Sequence, residues 1–429
     1  MTRPLAFTNA RLVDPASGYD GPGAVIVTEG VIADVTRAPG LGSLSPDVEV
    51  IDLGGALLIP GLIDIRVKTG EPGSEPKETL KSAALAAAAG GVTTIVVQPD
   101  THPVMDEPAV VDFILRRARD IELVKVFPAG AATKGCEGQR MAEIGLMHEA
   151  GCLYVTDADR PIVDSKVLRR VLSYAKAFGV PVSHRPADPW LSAGAVASEG
   201  EFAARMGLPS VPAIAERIML ERDLALVELT GAPLIVDQVT TAAALESLKR
   251  GIARGLPVTA TTSINHLSFN EIDIGDYRTF CKLDPPLRSE DDRQAVIDAV
   301  ASGLIQVVVS AHAPAPAEDK RLPYDEAAPG AVGLQTLLAA LLGFHHEGRI
   351  PLIDLIRTVT IAPADLLGLA AGRIAKGAPA DLVVCDLDAP IVIDADKLVS
   401  KSKNSPFDGR RLQGKVLRTL VDGRTVYSA

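Results

Sequence analysis

From Ala56 to Leu369 one texture recurs: short apolar runs separated, in most intervals, by Ala/Leu-rich amphipathic stretches. The runs are Leu57–Val67, Val92–Val97, Leu123–Phe127, Leu153–Thr156, Val180–Ser183, Pro233–Val236, Val258–Thr261 and Ile305–Ser310. Apolar strands alternating with amphipathic helices signal βα units around a parallel sheet. Eight such units fit a closed barrel, so the expected fold class is α/β, a TIM-like (β/α)8 barrel. In that architecture the chemistry sits at the C-terminal ends of the strands.

The chain ends have a different texture. Residues 1–55 read as short strands, with glycines at 18, 21, 23 and 30 supplying turns, and short strands return at Asp381–Cys385, Ile391–Ile393 and Val416–Tyr427. The expected organisation is a barrel over 56–369 flanked by one small β-sandwich module built from 1–55 and 370–429. With 47% hydrophobic and 23% charged residues among 429, the chain can bury a large core. A net charge of −11 and the lack of a long basic run argue against nucleic acid as a partner. Neither a signal-peptide apolar block nor 18 consecutive apolar residues occurs, so a soluble cytoplasmic protein without a membrane role is expected. Cys136, Cys152, Cys281 and Cys385 are too scattered for CxxC chemistry and read as reduced and structural.

In the first barrel run, alternation puts Asp64, Arg66 and Lys68 on one face, directed at the barrel mouth. Two cations then stand where a ligand would sit. Gly90-Gly91 lacks a following Lys-Ser/Thr and reads as a tight helix-to-strand turn, not a phosphate loop. His345 and His346 end a helical stretch and suit its C-terminal dipole. His102, His148 and His266 lack a partner at metal-ligand spacing and read as surface or helix-end residues.

Pro60–Gly73, Ala87–Pro103, Asp284–Arg288, Ser310–Pro314, Pro329–Thr336 and Ser402–Phe407 together resemble the dihydroorotases of the amidohydrolase superfamily, in the long form found beside aspartate transcarbamoylase. The resemblance runs over essentially the whole chain. It implies a zinc-activated hydroxide that opens a cyclic amide. It also implies metals held by a His-x-His pair on the first strand, an Asp, two later His, and an Asp on the eighth strand that doubles as general acid/base.

Carried over position by position, most of that set is gone. The His-x-His pair falls on Arg66 and Lys68, which have no lone pair to give at neutral pH. The bridging Asp falls on Asp157 and the next His on His184, both retained. The last His falls on Gln238, a poor zinc ligand, and the general-base position on Ala311. Substrate contacts change too: an Arg falls on Gly70, two Asn on Asp100 and Asp284, and a His on Ala315. His312 beside Ala311 reads as a packing residue. A zinc-bound water titrates near ~7 against ~15.7 in bulk, so loss of the metal forfeits up to roughly 12 kcal/mol of nucleophile activation. Loss of a general acid/base removes a further ~10²–10⁴-fold in rate.

The expectation is therefore a dihydroorotase-like protein of pyrimidine biosynthesis without catalysis or cofactor, serving as a structural or regulatory partner of aspartate transcarbamoylase and forming a homo-oligomer. Its remnant pocket would comprise Arg66, Lys68, Asp100, Asp157, His184, Gln238, Asp284, Arg288 and His312. Because Asp157, buried without zinc, would need a counter-charge, Arg66 or Lys68 is expected to pair with Asp157, and secondarily with Asp100 or Asp284. The alternative is an active dihydroorotase or other cyclic amidase with an atypical zinc site on Asp157 and His184. A third reading is a metal-free module that binds a small anion through Arg66, Lys68 and Arg288.

Overall fold

The computed structural model describes residues 3–40 and 45–429. Residues 1, 2 and 41–44, all inside the 1–55 stretch assigned to the terminal module, lie outside the described residues. Eight parallel strand positions ring the barrel: Leu62–Val67, Val92–Val97, Lys125–Pro128 continued by Gly130–Ala131, Val155–Thr156, Val182–His184, Leu234–Val236, Val258–Ser263 and Val307–Val309. The ring closes where Val67 bridges His312 and the Lys68 amide donates to the His312 carbonyl at 2.9 Å.

Inside the ring, Ile63, Ile65, Val96, Tyr154, Ile235 and Val307 pack as one apolar cluster, so the barrel is a filled core and not a pore. Helices cover the outside through stripes at three- and four-residue spacing. In Ser165–Ala177 the buried residues are Val167, Leu168, Val171, Leu172 and Ala175, and Asp164 caps the start by accepting from the Lys166 and Val167 amides. Helix Leu80–Ala89 is alanine-rich because seven of its ten residues are buried. Its end at Gly90-Gly91 is the tight turn expected: a Cβ at Gly90 would lie 2.1 Å from the Leu334 carbonyl, and Gly91 takes φ +80°.

Both chain ends build one eight-stranded sheet, in which Leu382–Val392 and Arg411–Val421 are the long C-terminal members and Leu5–Asp14 the central N-terminal one. The single strand expected over Leu57–Val67 is two. Leu57–Pro60 joins the terminal sheet, parallel to Leu5–Asp14 and antiparallel to Leu382–Val392, and only Leu62–Val67 enters the barrel. Between them Gly61 passes so close to Thr93 that a Cβ would sit 2.1 Å from its Oγ1. The cysteines are buried and unpaired, and among the described residues no helix is long and apolar enough to cross a membrane.

Candidate functional site

At the C-terminal ends of the strands lies a cavity of about 250 Å³, with Arg66, Lys68, Asp100, Asp159, Asn265 and Ala311 in its wall. Arg66, 4% exposed, rises from the first strand into two carboxylates. Its Nε donates to Asp237 Oδ2 at 2.8 Å and its Nη2 to Asp159 Oδ1 at 2.6 Å. The Gln238 amide, turned with its oxygen toward these donors, accepts from Arg66 Nη2 at 2.9 Å. Lys68 donates to Asp100 at 2.6 Å and also to Asp159. Arg185 holds Asp284 through two nitrogens and stands 3.7 Å from Asp159. Arg66, Lys68 and Arg185 thus face Asp100, Asp159, Asp237 and Asp284, one more carboxylate than cations. Burial opposes ionisation of Asp159, yet Lys68, Arg66 and Arg185 hold its carboxyl far below the usual range. Burial likewise works against the charge on Arg66, and Asp237 and Asp159 more than reverse it.

The pairing expected with Asp157 does not form, and of the secondary ones Lys68 with Asp100 does. Asp157 makes no ion pair with either cation: its carboxylate turns to the Thr133 backbone N–H at 2.8 Å and to the Thr133 hydroxyl. The cause is local. Ala158 sits at φ +53°, and this left-handed step swings Asp159, not Asp157, into the mouth. A similar step at Gln238, φ +55°, accompanies the placing of Asp237 under Arg66. Asp159 and Asp237 are therefore site residues that strand alternation could not find, since alternation fails where φ changes sign, and Arg185, beside His184 at the end of its strand, joins them.

His184 is drawn out of the mouth. Its Nδ1 pairs with Asp223 at 2.6 Å and its Nε2 accepts from the Ile162 amide at 2.8 Å, so neither nitrogen has a lone pair to offer. Arg288 points away as well, donating to Thr240, Ser198 and Glu216. His312 is fully buried behind the rim, with Nδ1 accepting from the Gly333 amide and Nε2 3.6 Å from Glu78. His266, expected as a surface or helix-end residue, lies in the short helix Ile264–Ser268 but is not at the surface: it is 4% exposed and lines the cavity, donating to the Pro285 carbonyl. Burial and the nearby Arg288 charge press its pKa down to about 3, so it is neutral. Ala311, at the general-base position, lines the cavity with only a methyl group.

Asp64 shares the face of Arg66 but lies beneath it, accepting from the Arg66 amide at 3.1 Å and the Ser310 amide at 3.3 Å. Burial pushes its pKa up to about 6. The folded chain therefore binds a proton at Asp64 that the unfolded chain has lost above ~3.9, so this group's contribution falls as pH rises from about 4 to 6 and is flat above. A loss of about 3 kcal/mol over that interval is expected, measurable as a falling urea midpoint. An Asp64→Asn variant should flatten this segment of the profile; an unchanged slope would assign it to another group.

Zinc requires imidazole, thiolate or carboxylate lone pairs in a tetrahedral set. The mouth does not fit it. Arg66 and Lys68 offer no lone pair, the Gln238 oxygen and the carboxylates are engaged by cations, and His184 is used up. Among the described residues no group of three His, Cys, Asp or Glu is placed to hold an ion.

The sequence and the architecture match known proteins along the full chain. Residues 57–426 match the model of the amidohydrolase family. The chain is 39% identical over 429 residues to the dihydroorotase of Anaeromyxobacter dehalogenans, covering 100% of this chain and 98% of that protein. This chain belongs to the amidohydrolase family. Within it, the dihydroorotase of Pelobacter propionicus is 36% identical over 424 residues, 99% of each chain. Among solved structures, the L-hydantoinase of Arthrobacter aurescens superposes with a TM-score of 0.87 at 24% identity, covering 100% of this chain and 96% of that one. A dihydropyrimidinase from Brevibacillus agri gives 0.85 at 21% identity over 99% and 95%. These likenesses establish the fold: an amidohydrolase barrel with a sheet from both chain ends.

Proposed function

We propose that this dihydroorotase homologue has lost metal-dependent hydrolysis and serves pyrimidine biosynthesis in the cytoplasm as a structural or regulatory partner of aspartate transcarbamoylase, assembling as a homo-oligomer. One observation carries the loss of hydrolysis. Four of the six positions where the family resemblance implies metal ligands and a base are replaced, three of them by Arg66, Lys68 and Gln238 in a closed ion-pair network and the fourth by the methyl group of Ala311. Nothing in that network activates water, and every cation in it is already neutralised. The partner follows from the dihydroorotase resemblance.

Protein purified without chelator is expected to carry substoichiometric zinc and to show no dihydroorotate hydrolysis above background, read by metal analysis and an ultraviolet ring-opening assay. Co-expression with aspartate transcarbamoylase should give co-elution in size exclusion; clean separation at micromolar concentration would remove the partner. A second reading, an active cyclic amidase with an atypical site on Asp157 and His184, draws on the full-length identity to dihydroorotases and on the open cavity of about 250 Å³. Stoichiometric zinc together with turnover would establish it.

A further inference from the structure

The network at the barrel mouth is layered. Its cations are sunk: the Arg66 and Arg185 side chains are each 5% exposed and that of Lys68 is 21% exposed. Of its four carboxylates Asp237 is sunk as well, whereas the other three are part-exposed, with side-chain exposures of 32% for Asp100, 32% for Asp159 and 46% for Asp284. All three line the cavity. Asn265, only 2% exposed, lines the same cavity and its Oδ1 accepts from nothing, an independent sign of a missing donor. The cavity surface therefore offers acceptors and negative charge over buried cations that are already spent. An anionic ring such as dihydroorotate would meet three carboxylates against one cation outside the network, Lys77, and the anion module expected from Arg66, Lys68 and Arg288 has none of its three cations free. Lys77, also in the lining, is exposed and makes no salt bridge among the described residues.

We infer that the barrel mouth binds a small organic monocation bearing a primary ammonium or a guanidinium group, its N–H donors shared among Asp100, Asp159, Asp284 and Asn265. Charge-assisted bonds to carboxylates suit such a ligand. Lys77 adds a repulsion that partly offsets this attraction and is screened by salt. The inference rests on the reading that no metal is held at the strand ends.

The test is calorimetric titration and thermal shift of the full chain, after its zinc content is measured, with n-butylammonium, 1-butylguanidinium, dihydroorotate and N-carbamoyl-aspartate as probes. At least one of the two cations should bind and both anions should fail. Asp100→Asn removes one exposed carboxylate while Lys68 keeps Asp159, and should weaken the bound cation about three- to tenfold. Lys77→Ala touches no ion pair of the network and should tighten it about two- to threefold at low salt, with the gain fading as salt rises. Tighter binding of either anion, no response to either cation at millimolar concentration, or an unchanged affinity in both variants would overturn the inference. Bound zinc would count against the preceding functional reading, whereas a zinc-free chain that ignores both amines fails this inference alone.

Discussion

Replacing Arg66 with methionine is expected to lower folding stability by about 3–5 kcal/mol at neutral pH, because it leaves Asp237 buried without its cation and takes one of three from Asp159. The effect has a pH signature. Asp159 has a depressed carboxyl pKa in the folded chain, so its contribution is full above the unfolded value near ~3.9 and is lost as pH falls toward the folded value. The Asp159 part of the gap between parent and variant should therefore be constant above about pH 4 and narrow at lower pH. Urea denaturation at several pH values measures this. Adding Asp237→Asn to the methionine variant should recover part of the loss, giving a double-mutant cycle with clear coupling. Additive effects would mean that the pair at 2.8 Å contributes nothing of its own.

The second large effect concerns restoration of the implied ligand set. Arg66→His, Lys68→His, Gln238→His and Ala311→Asp together remove two of the three network cations and add a carboxylate. Arg185 is left as the one network cation against five acidic groups, the four of the parent network and the new one. This variant is expected to be less stable than the methionine variant, losing more than about 5 kcal/mol without metal. Zinc should raise its thermal midpoint, by the equivalent of about 2.7 kcal/mol at a hundredfold excess over Kd, while leaving the parent unmoved. Turnover is not expected to return, because His184 stays bound to Ile162 and Asp223 and Asp157 to Thr133. A zinc-free variant as stable as the parent would show that the ion pairs do not support the rim.

The barrel is legible in the sequence because burial of a parallel sheet forces long apolar runs, and Val92–Val97 and Val258–Ser263 fall close to where those runs are. The terminal sheet is legible as short strands at both ends. The assignment of Leu57–Pro60 is not, since its apolar residues suit either sheet and only the close passage of Gly61 at Thr93 separates the two. At the site, Arg66, Lys68, Asp100, Gln238 and Asp284 come together as read. His184, Asp157 and Arg288 do not, each diverted by a partner distant in sequence or turned by a local backbone step. Asp159 and Asp237 were hidden by the left-handed residues beside them, Ala158 and Gln238.

The network around Arg66 joins residues that follow the second, fourth, fifth, sixth and seventh strands to the first strand. It lies beside the seam where Lys68 meets His312 and the cylinder shuts. The crown of the barrel is thus laced from within by side chains synthesised along with it. On the proposed reading, a rim tied in this way would keep its shape through a shortage of transition metal that would starve a metalloenzyme.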